Sequence, residues 1–177
     1  MSVSTALSGC SYEKVLVLFG SPHKDGNTAK LLHEALENLP EESEIETFYA
    51  YDQAVKPCFG CNICKSGICV YDDLDELRQK IEECDLLIVA SPVYNFSVPS
   101  PLKAVLDRFQ IYWAQRFLAG IRVPIKKHRD AWVVLTCGSK DEKGIADVTG
   151  QLDMIFTVMN TKRVNLFKKT ATDLKSF

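Results

Sequence analysis

The sequence predicts a doubly wound α/β domain, a mostly parallel sheet with helices on both faces. Short apolar runs alternate along the chain with longer stretches of helical periodicity. Parallel neighbours need crossover connections, and these are nearly always right-handed. The strongest runs are also apolar at every position rather than at every second one, which marks strands buried on both faces.

The elements follow in order. Val15-Leu16-Val17-Leu18-Phe19 is the first strand, ending at Gly20. From Thr28 onward, Leu31, Leu32, Ala35, Leu36 and Leu39 share one helical stripe, with Pro40 as the stop. Ile45, Phe48 and Tyr49 predict a second strand within Glu44 to Ala50, and a long Cys-rich connection follows over 51–71. Connections of that length are usually functional. Asp73 and Glu76 predict a capping pair for a helix bearing Leu74, Leu77, Ile81 and Cys84. Leu86 to Ala90 is the third strand. Ser91 to Pro101 is turn chemistry, and Pro101 suits the first turn of a helix bearing Leu102, Val105, Leu106 and Phe109. Trp132 to Thr136 is the fourth strand, Ile145, Val148, Leu152, Ile155, Phe156 and Met159 mark a helix, and Arg163 to Phe167 is the fifth strand. No repeat, low-complexity tract or linker divides the 177 residues, so one domain is expected, with residues 1–12 as a flexible tail.

Composition narrows the function. With 46% hydrophobic and 25% charged residues, the chain is neither disordered nor fibrous. A net charge of −2 argues against broad capture of nucleic acid or an anionic membrane, and points to a small-molecule partner. No apolar run reaches the ~20 residues of a membrane-spanning helix. Seven cysteines are too few for a secreted disulfide scaffold and cannot all pair, so reduced thiols in a cytoplasm are expected. Leu7-Ser8-Gly9-Cys10 has the look of a lipoprotein cleavage box, but no basic or apolar stretch precedes it.

In doubly wound sheets, ligands bind beyond the carboxyl ends of the strands. The loop after the first strand reads Gly20-Ser21-Pro22-His23-Lys24-Asp25-Gly26-Asn27-Thr28. It is neither a Walker A loop nor a Gly-x-Gly-x-x-Gly fingerprint. It nevertheless offers a phosphate the N–H groups of a helix start, hydroxyls on Ser21 and Thr28, the Asn27 amide and His23; Asn27 and Thr28 also read simply as helix caps. The loop after the third strand carries Tyr94, Asn95 and Phe96 between prolines, a wall against which a planar ring could lie. After the fourth strand, Thr136-Cys137-Gly138-Ser139 supplies small residues for close approach to the backbone.

Together, Gly-Ser-Pro-x-x-x-Gly-Asn-Thr, Ser-Pro-x-Tyr and Pro-x-Pro-Leu-Lys-Ala-x-x-Asp-Arg are recognisable. Over about residues 13–167 the chain resembles the flavodoxin-like NAD(P)H-dependent FMN reductase family. Within it, the chain is most similar to the iron–sulfur flavoprotein branch, which carries a cysteine motif where this chain has Cys58, Cys61, Cys64 and Cys69. The resemblance implies strand order 2-1-3-4-5 and FMN phosphate on Ser21, His23, Asn27 and Thr28. Family members often carry Arg where this chain has His23. Pro92, Val93, Tyr94 and Asn95 are then expected to border the isoalloxazine, with Thr136, Gly138 and Ser139 closing its other side. The flavin would carry the chemistry, so no protein acid, base or nucleophile is named, and Tyr94 and Asn95 are candidates to tune its potential.

The four cysteines leave several options open: one [4Fe–4S] cluster, reduced or disulfide-linked thiols, zinc, or no special role. The gap before Cys69 is four residues, where five is common in the branch. Cys10, Cys84 and Cys137 read as unpaired. Lys126-Lys127-His128-Arg129 with Arg122 reads as a solvated basic turn rather than a site for the NADPH 2′-phosphate. Phe109, Ile111, Tyr112, Trp113, Phe117 and Leu118 exceed what one helical stripe buries, which suggests a homo-oligomer. The short stretch after the fifth strand points the same way, with its edge either covered by a partner or partly protected by Lys168, Lys169 and Lys175. The expected function is therefore FMN-dependent reduction of a small acceptor, such as a quinone, flavin or azo compound, with NAD(P)H as donor. The alternatives are an iron–sulfur flavoprotein passing single electrons between a ferredoxin-like partner and FMN, and a non-enzymatic FMN- or zinc-binding regulatory module.

Overall fold

The first, third and fourth apolar runs are buried along nearly their whole length because they form the middle of a five-stranded sheet. The computed structural model describes residues 12–140 and 142–173. In chain order it contains β1 (Lys14–Phe19), α1 (Asn27–Leu36), β2 (Glu44–Tyr49), α2 (Asp75–Glu83), β3 (Leu86–Pro92), α3 (Ser100–Arg108), α4 (Gln110–Phe117), β4 (Arg129–Thr136), α5 (Lys143–Val158) and β5 (Thr161–Lys169). The strand order is β2-β1-β3-β4-β5 with every pair parallel, as the family resemblance implied. All carboxyl ends therefore meet at one rim.

The two faces are covered unequally. Leu16, Leu18, Leu87, Val89, Val133 and Leu135 pack under α2, α3, α4 and α5. Val15, Val17, Phe19, Ile88 and Val134 pack under α1 alone, through Leu31, Leu32 and Ala35. Aromatic rings extend the cover that one helix cannot supply: Trp132 meets Tyr12 edge-on at 6.1 Å and Phe167 at 5.4 Å. The tail expected over residues 1–12 otherwise lies outside the described residues, as do Cys10 and Lys175. Tyr12 itself is no part of a loose tail, being buried with its hydroxyl donating to Asp130 Oδ2 at 2.7 Å.

Several local expectations need correction. Asp73 does not cap α2; that helix begins at Asp75 without a side-chain cap. The Asp73 carboxylate turns instead to Arg108, 2.8 Å away, and accepts the Lys56 N–H. The helix expected after Pro101 breaks at Phe109, which ends α3 and begins α4, so Phe109, Ile111 and Tyr112 point into the core. Only Trp113, Phe117 and Leu118 of the apolar excess remain exposed. Arg129 is not part of a solvated turn, because it opens β4 and is buried. The basic turn lies at the amino end of β4, opposite the rim where ligands bind in such sheets. No helix among the described residues is long and apolar enough to cross a membrane.

Gly20 joins the sheet to the rim. Its N–H donates to the Ala90 carbonyl at 2.8 Å, extending the β1–β3 pairing by one residue. A Cβ there would collide with Leu102 Cδ2 and lie 2.9 Å from Leu102 Cβ, so α3 would have to shift. Gly20→Ala is expected to cost about 1–3 kcal/mol of stability through overpacking. Urea melts of the two proteins check this, and equal midpoints would show that α3 yields freely.

Candidate functional site

Three loops leave the carboxyl rim of the sheet, from β1, β3 and β4, and hydrogen bonds tie them together. In the first, the Ser21 hydroxyl accepts the His23 N–H at 3.2 Å, and the Gly26 N–H donates to the His23 carbonyl. The chain then enters α1 with Gly26 as its N-cap and no side chain capping it. The first-turn N–H groups, with the positive end of the helix dipole, therefore face the rim without a side-chain acceptor.

The first and third loops meet through one buried contact. The hydroxyls of Thr28 and Thr136 lie 2.7 Å apart, with both residues almost wholly buried. The Val93 N–H donates to the Thr136 carbonyl at 2.8 Å and so joins the second loop to the third. Beyond Val93 the chain makes a tight reversal, with Tyr94 and Ser97 exchanging both backbone hydrogen bonds. Asn95 and Phe96, at its centre, have φ of 50° and 60°. Asn tolerates this left-handed conformation, but an aromatic residue adopts it at a cost, and such strain clusters at ligand sites. The turn lifts Tyr94 and Phe96 into solvent. Burial, then the Tyr94 phenol, push the Tyr51 hydroxyl pKa up.

These loops enclose a cleft of about 510 Å³, within the range of small-molecule sites. The first loop lines it with Ser21, His23, Asn27 and Thr28, the second with Pro92, Val93, Tyr94 and Asn95, and the third with Thr136, Gly138 and Ser139. Every residue expected from the sequence at these loops thus faces one space. The cleft is also lined by Gly26, Phe96 and Cys137 and, unforeseen by sequence reasoning, by Gly144, Thr172 and Asp173. The first three lie inside the loops already singled out. Gly144, in the first turn of α5, leaves room for Val93, whose Cγ1 would stand 2.9 Å from a Cβ there. Thr172 and Asp173 carry no local signal.

The cysteine connection is held from α3. Arg108 is buried, donating to the carbonyls of Lys56 at 2.9 Å and Tyr71 at 3.0 Å. One guanidinium therefore clasps both ends of the segment carrying Cys58, Cys61, Cys64 and Cys69. Burial, then the neighbouring Cys69, Cys61 and Cys58, push the Cys64 thiol pKa up, which puts the four sulfurs in one neighbourhood. Among the described residues, however, no group of three or more His, Cys, Asp or Glu side chains is gathered as a metal-ligand set. No disulfide joins these four or Cys84. The arrangement does not fit a cluster without movement of the loop.

The model of one protein family, described as NADPH-dependent FMN reductase, matches residues 13–167. The chain belongs to the NADPH-dependent FMN reductase family. The expectation of the family is borne out. An iron–sulfur flavoprotein of Methanocaldococcus jannaschii is 44% identical over 98 residues, covering 54% of this chain and 51% of that protein. Another from Archaeoglobus fulgidus is 38% identical over 110 residues, covering 60% and 50%. The chain thus spans about half the length of the curated relatives it matches. Among solved structures, an NAD(P)H:quinone oxidoreductase from Methanothermobacter marburgensis superposes with a TM-score of 0.67 at 18% identity, covering 92% of this chain and 85% of that one. That likeness establishes the fold that this family member shares with it.

Proposed function

We propose that this chain is a cytoplasmic, FMN-dependent oxidoreductase that takes electrons from NAD(P)H and reduces a small acceptor such as a quinone, flavin or azo compound. The convergence of three loops and an uncapped helix N-terminus on one cleft carries this reading. The phosphate would sit on Ser21, His23, Asn27 and Thr28, where N–H groups and hydroxyls suit an anion. Pro92, Val93, Tyr94 and Asn95 would border the ring, and Thr136, Gly138 and Ser139 would close its other side. Bound FMN supplies hydride chemistry, receiving two electrons and one proton from NAD(P)H, which leaves as NAD(P)+. The protein's own contribution is orientation and exclusion of water: the Thr28–Thr136 contact fixes the spacing of the first and third loops, and the Tyr94–Ser97 turn stiffens the second. The odd cysteine count, too low for a secreted disulfide scaffold, supports a reducing compartment.

A second reading, a cluster-bearing protein exchanging single electrons with a ferredoxin-like partner, draws on the shared neighbourhood of Cys58, Cys61, Cys64 and Cys69. It also draws on the relatives named iron–sulfur flavoproteins. It requires the loop to close around a [4Fe–4S] cluster. Under either reading a homo-oligomer is proposed, because Trp113, Phe117, Leu118 and Met154 leave apolar surface in solvent.

The deciding experiment is the visible spectrum and the iron and sulfide content of protein purified without oxygen, followed by addition of NADPH. Flavin bands without iron that bleach rapidly are the expected result. Flavin with about four irons per chain and slow bleaching would replace the first reading by the second. Protein that neither retains nor takes up FMN would refute both.

A further inference from the structure

Among the described residues that line the cleft, Asp173 contributes the only carboxylate and none is Lys or Arg. It lies in the segment after β5, which hydrogen bonds fold back over the third loop. The Ala171 N–H donates to the Ser139 carbonyl at 2.8 Å, and the Thr172 N–H donates to the Cys137 carbonyl at 3.2 Å. Ala171 has φ of 58°, a left-handed conformation that turns the strap sharply at this point. The Thr172 hydroxyl then donates to Asp173 Oδ1 at 3.2 Å.

The carboxylate stands directly over Gly138. A Cβ at residue 138 would collide with Asp173 Oδ2 and lie 3.2 Å from Oδ1. The missing side chain of Gly138 is what lets a negative charge rest on the wall of the cleft. The charge is solvated at the open rim, but a planar molecule filling the cleft displaces the water that screens it.

Resting on the FMN reading above, we infer that Asp173 is a cofactor-tuning residue, whose carboxylate over Gly138 lowers the midpoint potential of bound FMN. Transfer of a hydride delivers two electrons and one proton to FMN and releases NAD(P)+, so the reduced cofactor carries one more negative charge than the oxidised one. A fixed carboxylate on the wall disfavours that added charge. The reduced form is therefore held less tightly, relative to the oxidised form, than in a neutral cleft. The segment lies outside the three loop motifs and reaches the cleft only by folding back after the last strand.

The test is the midpoint potential of FMN bound to the wild-type protein and to Asp173→Asn, Asp173→Ser and Asp173→Glu, with FMN affinity measured by fluorescence titration. Glu37→Gln, at the far end of α1, is the control. Asp173→Asn and Asp173→Ser are each expected to raise the affinity for reduced relative to oxidised FMN about tenfold. For a two-electron couple this is an upward shift of about 30 mV. Asp173→Glu and the control are expected to keep the wild-type potential. Asn and Ser variants that bind FMN at the wild-type potential would overturn the inference while leaving the FMN reading intact. Wild-type protein that binds no FMN would overturn both.

Discussion

Replacing Asn27 and Thr28 together by alanine is expected to weaken FMN binding about 100-fold. Both residues lie in the first turn of α1, where no side chain caps the helix. Each can place a polar group on an anion at that turn, and hydrogen bonds to charged groups contribute about 1.5–3 kcal/mol apiece. Losing two at the low end corresponds to about 3 kcal/mol, or roughly two decades in Kd. Thr28 acts a second time through its 2.7 Å contact with Thr136. Its removal leaves the buried Thr136 hydroxyl without that partner and loosens the joint between two walls of the cleft. Fluorescence titration of FMN, with circular dichroism to check the fold, measures the effect. An unchanged Kd in a folded variant would remove the phosphate role from this helix start.

The largest effect on stability is expected from Arg108→Met. The guanidinium is almost wholly buried, and the Asp73 side chain retains 22% exposure. Breaking a buried pair by removing one partner costs about 3–5 kcal/mol, and the low end, about 3 kcal/mol, applies here because Asp73 keeps one edge in water. The carbonyls of Lys56 and Tyr71 lose their donors at the same time. The cysteine segment between them is therefore expected to be cleaved faster in limited proteolysis, with the sheet still folded.

The same variant changes the response to acid. Burial pushes the Asp73 carboxyl pKa up, but the Arg108 guanidinium and the Lys56 N–H outweigh it and hold the pKa below the usual value. A group depressed in the folded state adds stability that is fully present above its unfolded pKa of about 3.9. That stability is lost as the pH falls through the folded value. Urea melts at pH 7 and pH 3 should show this loss in the wild-type protein and a smaller loss in Arg108→Met. Parallel losses in the two proteins would mean that other carboxylates carry the acid sensitivity.

Much of the architecture was legible because it depends on local chemistry. A strand buried on both faces must be apolar throughout, so Val15 to Phe19, Leu86 to Ala90 and Trp132 to Thr136 stand out in the chain. Parallel order then forces their following loops to one rim. Ser21, His23, Asn27, Thr28, Tyr94, Asn95 and Gly138 share a cleft because they occupy equivalent places after successive strands. The same logic identified the family from three short motifs.

Other features depended on partners far away in the chain. The spacing of Asp73 and Glu76 is that of a capping pair, yet Asp73 answers to Arg108, 35 residues on and buried on α3. Lys126 to Arg129 has the composition of a solvated turn, yet Arg129 is drawn into the start of β4 by strand pairing with Thr161. Cys58, Cys61, Cys64 and Cys69 have ligand-like spacing, but the sulfur positions follow from how Arg108 clasps the connection.

The sequence by itself determined the order of strands and helices, the rim at which ligands meet the sheet, and most of the groups that line the cleft, because periodicity and turn chemistry act over a few residues. Only the tertiary structure decided which charges face one another and that Asp173 returns to cover Gly138. Those contacts depend on crossovers and on a strap folded back after β5, whose ends meet residues far away in the chain.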